Sequence, residues 1–227
     1  MLIVIHNHKG GTGKSTIAAH LAFRAEQLGV KTLAATIDRQ GDLLRWFTRG
    51  EALLEVDSPI QYGDHVTALY SPDEFPTRLA ANFPLTIVDT SPHSDVTGGA
   101  VSPDLWIVPV DNRTAIENLA SVLPLMLKKA PALLVFYMAD GGGVGALGAL
   151  QDAARMLDNI EIYDEVIPKS GAMFRAQLRY CPVWESPFGT DSVVHKAIVR
   201  FADHVFKRAG VVQTTAPKKS VRKTGRR

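Results

Sequence analysis

The chain has 227 residues and a mass of 24.7 kDa, enough for one generous α/β domain or two small ones. Hydrophobic residues make up 46% and charged residues 21%, a globular balance that excludes a disordered or fibrous chain. The net charge of +2 hides an asymmetry: residues 217–227 carry six basic residues and no acid, and the remainder holds 23 acidic against 19 basic.

Apolar runs alternate with helical patterns along the chain. Leu2–Ile5 reads as a buried strand, and four apolar residues before His6 are too few for a secretory signal. Lys14–Leu28 reads as a helix, with Ile17, Ala18, Leu21, Ala22, Ala25 and Leu28 on one side and Gly29 as its stop. Strands are expected at Lys31–Ile37, Leu85–Asp89, Leu105–Val110 and Ala132–Met138. Helical patterns lie near Thr114–Leu127, Leu147–Leu157 and Ser192–Ala209, and Gly141–Gly143 marks a loop. Ala130–Ala139, the longest apolar stretch, contains a proline and falls short of the ~20 residues that span a bilayer. Strands alternating with helices predict a doubly wound α/β fold, a mostly parallel sheet covered on both faces. The domain is expected to span 1–210, with 211–227 a basic, disordered tail. Cys181 is the single cysteine, which excludes an internal disulfide, a CxxC pair or a multi-cysteine metal site within one chain; it reads as a core residue. The seven histidines form no HxxxH-type cluster.

The strongest motif follows the first strand: Lys9-Gly10-Gly11-Thr12-Gly13-Lys14-Ser15-Thr16, then a helix. Strand, glycine loop, Lys-Ser and helix form a nucleotide phosphate cradle. Glycines let successive backbone N–H groups face the phosphates, and the helix N-terminus adds its positive end. Lys14 reaches the β- and γ-phosphates, and the Ser15 hydroxyl is a ligand for Mg²⁺. The general pattern requires glycine where His8 stands, so only the variant K-G-G-x-G-K-[ST]-T fits at every position.

On Asn7–Thr16 the chain resembles the ParA/MinD family of deviant-Walker P-loop ATPases. In that family the first lysine, here Lys9, crosses a dimer interface to the partner's nucleotide, and two chains sandwich two ATP molecules. The resemblance continues in Ile37-Asp38-Arg39-Gln40-Gly41-Asp42, similar to D-x-D-P-Q-G with Thr36 for the first Asp and Arg39 for the Pro. Leu85–Pro92 looks like the Walker B segment, and Ile167-Pro168-Lys169-Ser170 with Arg175-Ala176-Gln177 like the late I-P-R-x…A-Q stretch. The match covers roughly residues 1–208. It implies catalytic roles for Lys9, Lys14 and Asp38, with Asp38 orienting or deprotonating the attacking water. It implies ATP binding by Lys9, Gly10, Gly11, Thr12, Gly13, Lys14, Ser15 and Thr16. Ser15 and Asp89 are the residues expected to hold Mg²⁺.

A second set of residues suggests a large partner. The last helix is expected to turn Val193, Val194, Ala197, Ile198, Phe201, Ala202, Val205 and Phe206 inward. Lys196, Arg200, Lys207 and Arg208 then lie outside, with Asp203 interrupting. With Lys169, Arg175 and Arg179, and with Lys218, Lys219, Arg222 and Lys223 of the tail, they suggest sequence-independent DNA binding through phosphates. A strand at residue 2 leaves no room for a preceding helix-turn-helix, so operator recognition is not expected. The resemblance implies a homodimer on ATP binding, a cargo-bound adaptor that stimulates hydrolysis, and a cytoplasmic, nucleoid-associated protein. A membrane-associated MinD-like ATPase is the main alternative, but Val211, Val212 and Val221 give no Leu/Phe/Trp face to enter a lipid interface. A metabolic P-loop enzyme of the same superfamily is the other alternative.

Overall fold

The computed structural model describes residues 1–51, 55–72, 74–94, 102–111, 122–139 and 158–211. Its centre is β1 (Leu2–Ile5), which leads through the glycine loop into α1 (Lys14–Gln27). Then follow β2 (Thr32–Thr36), α2 (Asp42–Phe47), β3 (Ile60–Tyr62), β4 (Val66–Tyr70), α3 (Thr77–Ala80), β5 (Leu85–Asp89) and β6 (Leu105–Val110). The chain continues through α4 (Leu123–Leu127), β7 (Ala132–Ala139), β8 (Ile160–Ile162), β9 (Ile167–Pro168), α5 (Gly171–Arg179), a 3₁₀ turn (Val183–Glu185) and α6 (Val193–Arg208).

The strands form one sheet in the order β3-β4-β2-β5-β1-β6-β7-β8, with β9 added to β7. Every pairing among the described residues is parallel except β3 with β4. From β1 the chain moves to one side, to β2; from β5 it crosses to the other, to β6. The reversal opens a crevice beyond the carboxyl end of β1, where ligands bind in such sheets.

Alternate residues feed two cores. Ile3, Ile5, Ile87 and Ile107 face α1, α2 and α6 with Ile17, Leu21, Phe23, Trp46, Phe201 and Phe206. Val4, Val88, Trp106 and Val108 face the opposite layer with Met126 and Phe136. The Trp106 indole N–H donates to the Met126 carbonyl at 2.9 Å, which satisfies its one polar atom inside that layer. Burial on both faces explains why these strands read as continuous apolar runs.

The five expected strands and the long first and last helices appear within one residue of their expected ends. The β3–β4 hairpin, α2, α3, α5, β8 and β9 were not foreseen. One inward assignment is corrected: Val193 starts α6 and is 74% exposed, whereas Val194 is buried. At the first turn of a helix, position 193 lies ahead of the buried stripe. Cys181 is buried, as expected. The helical pattern at Leu147–Leu157, most of that at Thr114–Leu127, the Gly141–Gly143 loop and the tail from Val212 lie outside the described residues. Val211 packs against the main core, with its N–H on the Phe206 carbonyl at 3.0 Å.

Candidate functional site

The glycine loop is anchored before it bends. The His6 N–H donates to the Ile107 carbonyl at 3.0 Å, and the buried Asn7 amide donates to the Pro109 carbonyl at 2.8 Å. Asn7 Oδ1 accepts the Lys9 N–H at 2.8 Å. Gly11 and Gly13 take left-handed backbone, with φ of 76° and 89°, and Gly13 caps α1. A Cβ on Gly13 would stand 2.1 Å from the Tyr137 ring, so glycine is required there by contact as well as by conformation. The Tyr137 phenol sits beneath the loop beside Thr16 and Gln177, and burial pushes its pKa up.

Lys14 is 7% exposed and folds back over the loop. Its ammonium donates to the Asn7 and Lys9 carbonyls at 3.3 and 3.2 Å. Burial lowers its pKa, and the carboxylates of Asp89 and Asp38 oppose that. Below it, Thr90 donates its hydroxyl to the Ile5 carbonyl at 2.9 Å, so it accepts from His6 Nδ1 at 2.7 Å. This fixes the His6 tautomer as Nδ1–H. Burial, helped by His8 and Lys14, brings the His6 pKa down to about 3.

Two carboxylates flank the loop. Asp89, at the carboxyl end of β5, is fully buried, and neither oxygen completes a hydrogen bond. Burial raises its pKa to about 7, against the pull of the adjoining Ser15 hydroxyl and Lys14. An orphaned buried carboxylate beside a serine hydroxyl is what a hard divalent cation satisfies, and Mg²⁺ takes few protein ligands. The residues present therefore fit Mg²⁺ held by Ser15 and Asp89. Asp38 follows β2. Its Oδ1 accepts the Gln40 N–H at 3.0 Å and its own N–H donates to Thr36 Oγ1 at 3.2 Å. Thr36, which replaces the expected carboxylate, thus still orders the turn. Gly41, with φ 63°, closes it into α2.

These elements line an open cleft of about 330 Å³. Of the candidate residues, Gly10, Gly11, Gly13, Lys14, Ser15, Thr16 and Asp38 line it, whereas Lys9, Thr12 and Asp89 do not. Gln40, Asp42, Trp46, Pro92, Gln177 and Tyr180 complete the wall. Gln177 donates to Thr16 Oγ1 at 3.2 Å, which ties α5 to the loop. Trp46 and Tyr180 stack edge to face at 6.0 Å. No local spacing announces these two, which come from separate segments. Lys9 is half-buried, and its ammonium reaches both Asp111 oxygens at 2.9 Å.

The basic residues on and beside α5 and α6 differ in their engagements. Arg200 donates from Nε to both Glu165 oxygens at 2.9 Å. Arg175 donates to the Pro187 carbonyl at 3.0 Å and lies over the Phe188 ring. Lys169, Arg179 and Lys196 are exposed. Among the described residues no helix is long and apolar enough to cross a membrane.

The family model for the CobQ/CobB/MinD/ParA nucleotide binding domain matches residues 3–183. A search of curated proteins by sequence found no match. The structure of the cell division ATPase MinD from Pyrococcus furiosus is similar at a TM-score of 0.70 and 19% identity, covering 91% of this chain and 99% of that one. An ATP complex of a McdA variant from Cyanothece is similar at 0.70 and 15%, covering 94% and 98%. A Borrelia burgdorferi protein described as a plasmid partition protein, bound to AMPPNP, is similar at 0.64 and 17%, covering 90% and 96%. At these identities the likeness establishes the shared fold.

Proposed function

We propose that this chain, which belongs to the CobQ/CobB/MinD/ParA nucleotide-binding family, is a Mg²⁺-dependent ATPase that positions a cargo. In this reading ATP pairs two copies, the pair holds DNA without sequence preference, and an adaptor on the cargo stimulates hydrolysis. The observation that carries it is the cradle at Lys9–Thr16, with the orphaned Asp89 carboxylate behind Ser15. The nucleotides in the McdA and Borrelia structures support ATP as the ligand.

Hydrolysis at such a site is mostly positioning and charge neutralisation. The left-handed Gly11 and Gly13 turn backbone amides toward the phosphates. Lys14 exchanges its two carbonyl partners for β- and γ-phosphate oxygens. Mg²⁺, when bound, neutralises charge on those oxygens, and Ser15 and Asp89 would hold it. Asp38, fixed by the Gln40 amide, orients the attacking water. Phosphate release from Mg²⁺-ATP tests the reading: wild type is expected to turn over slowly, and random duplex DNA is expected to bind only with ATP. A wild-type rate no higher than that of Lys14→Ala would overturn it.

A further inference from the structure

The two lysines of the loop have different partners. Lys14 turns inward to backbone carbonyls, whereas Lys9 is claimed by a carboxylate at the rim. Strand register explains the second contact. β1 and β6 are parallel neighbours with Ile5 opposite Ile107. Two residues further on, Asn7 bonds to Pro109. Four residues further on, Lys9 meets Asp111. Asn7 also fixes the Lys9 backbone, so the side chain is delivered to Asp111 rather than left to wander. Lys9 and Asp111 side chains are 25% and 26% exposed, shielded enough for the pair to outlast ordinary surface pairs in salt.

We infer that Asp111 is a positioning residue for Lys9: its carboxylate holds the ammonium on its own chain and sets how much ATP two chains need to pair. The inference rests on the reading above, in which Lys9 contacts the nucleotide of a second copy. Lys9 cannot serve its own Asp111 and a partner's phosphates in full at once. Pairing therefore includes the free energy of separating Lys9 from Asp111.

Light scattering of the full chain, titrated with a non-hydrolysable ATP analogue and Mg²⁺, tests this. Asp111→Asn is expected to pair at roughly two- to fivefold less analogue than wild type, the range that partly exposed ion pairs span. Asp111→Glu keeps the acid and is expected to restore the wild-type midpoint. Lysine-ammonium NMR should show the Lys9 signal sharpened in wild type and lost in Asp111→Asn. Removing a negative charge also changes the field at the cleft. Monomer affinity for the analogue in Lys9→Ala, with and without Asp111→Asn, isolates that effect and is expected to differ by less than about twofold. An unchanged pairing midpoint in Asp111→Asn overturns the proposal. So does a shift matched by equally tighter binding in the Lys9→Ala background. If wild type does not pair at all, the parent reading fails with it, which separates the two failures.

Discussion

The cations at the carboxyl end of the sheet and those on α5 and α6 behave differently. In the cleft, Lys14 is buried and bonded to carbonyls that a phosphate can displace, and Asp38 and Asp42 line the same opening. On the outer helices, Arg200 lies in the fork of Glu165, and Arg24 of α1 reaches across to Asp203. Counting charges along a sequence treats the two regions alike. The fold does not: a cation is available for a ligand only where no acid of its own chain already meets it. Lys9 stands between the two cases.

The sharpest break of this comparison is at Lys14. Lys14→Ala removes the one buried cation of the cradle, and its loss is expected to cost roughly 2–5 kcal/mol of ATP binding. Titration with a fluorescent ATP analogue checks it; unchanged affinity would mean that the loop holds no phosphate. Next come changes that should separate nucleotide binding from hydrolysis and pairing. Asp38→Ala is expected to retain Mg²⁺-ATP and lose turnover by about 100-fold or more, as removal of one transition-state group does. Lys9→Ala is expected to bind ATP and remain monomeric in light scattering. Wild-type hydrolysis in Asp38→Ala, or a normal ATP-dependent dimer in Lys9→Ala, would assign those roles elsewhere.

Legibility in the sequence divides along the same line. The cleft floor was readable because buried parallel strands are uninterrupted apolar runs and the glycine loop joins one of them to a helix. Lys14, Ser15 and Asp38 therefore meet at one opening, with Asp89 buried beside Ser15 and Lys9 held at the rim by Asp111. The side walls were not. Trp46 comes from α2 and Tyr180 caps α5, which is nine residues long with Phe174 and Leu178 exposed, so its period was masked; only Gln177 was singled out, by the late A-Q resemblance. Asp111 required the strand order, since only a β1–β6 neighbourhood sets it level with Lys9. The ion pair that engages Arg200 joins residues 35 apart, beyond any helical spacing.

A smaller effect tests how the two regions are joined. His20 of α1 donates from Nδ1 to the Thr16 carbonyl at 2.8 Å and accepts the Val183 N–H at Nε2, 3.1 Å away. Only neutral imidazole makes both bonds, and burial lowers its pKa to about 4. The unfolded chain takes up this proton near pH 6.5, so His20's contribution is whole above that pH and falls until about pH 4. The loss is on the order of 3 kcal/mol. His6, at about 3, acts in the same direction. Asp89, raised to about 7, acts oppositely: its contribution is whole below about pH 4 and is lost as pH rises to 7. The difference between variants is therefore decisive, not the raw curve. His20→Gln keeps a donor and an acceptor without titrating, and urea midpoints across pH 4–7 should fall less steeply toward acid than in wild type. Parallel pH profiles would mean that His20 does not titrate with unfolding.

The weakest effects are expected on the outer helices, and they decide whether that region touches DNA at all. Each phosphate contact made by a free cation releases a counterion, so it adds about 0.9 to the slope of log affinity against log salt. Lys196 is exposed and is expected to make such a contact. Arg200 is held by Glu165, and a phosphate must displace a carboxylate to reach it, so little counterion release results. Deleting residues 217–227 removes six cations and should flatten the slope most, equally on all duplex sequences. Lys196→Ala should flatten it by less than one, and Arg200→Ala by less again. Glu165→Gln sharpens the contrast: it frees Arg200, so affinity and slope should both rise, and Arg200→Ala in that background should then cost what Lys196→Ala costs in wild type. The measurement is binding to random duplexes with a non-hydrolysable ATP analogue across a salt series. An Arg200→Ala effect as large as that of Lys196→Ala, with Glu165 intact, would mean that the ion pair opens on DNA, and the outer helices would then behave as the cleft does.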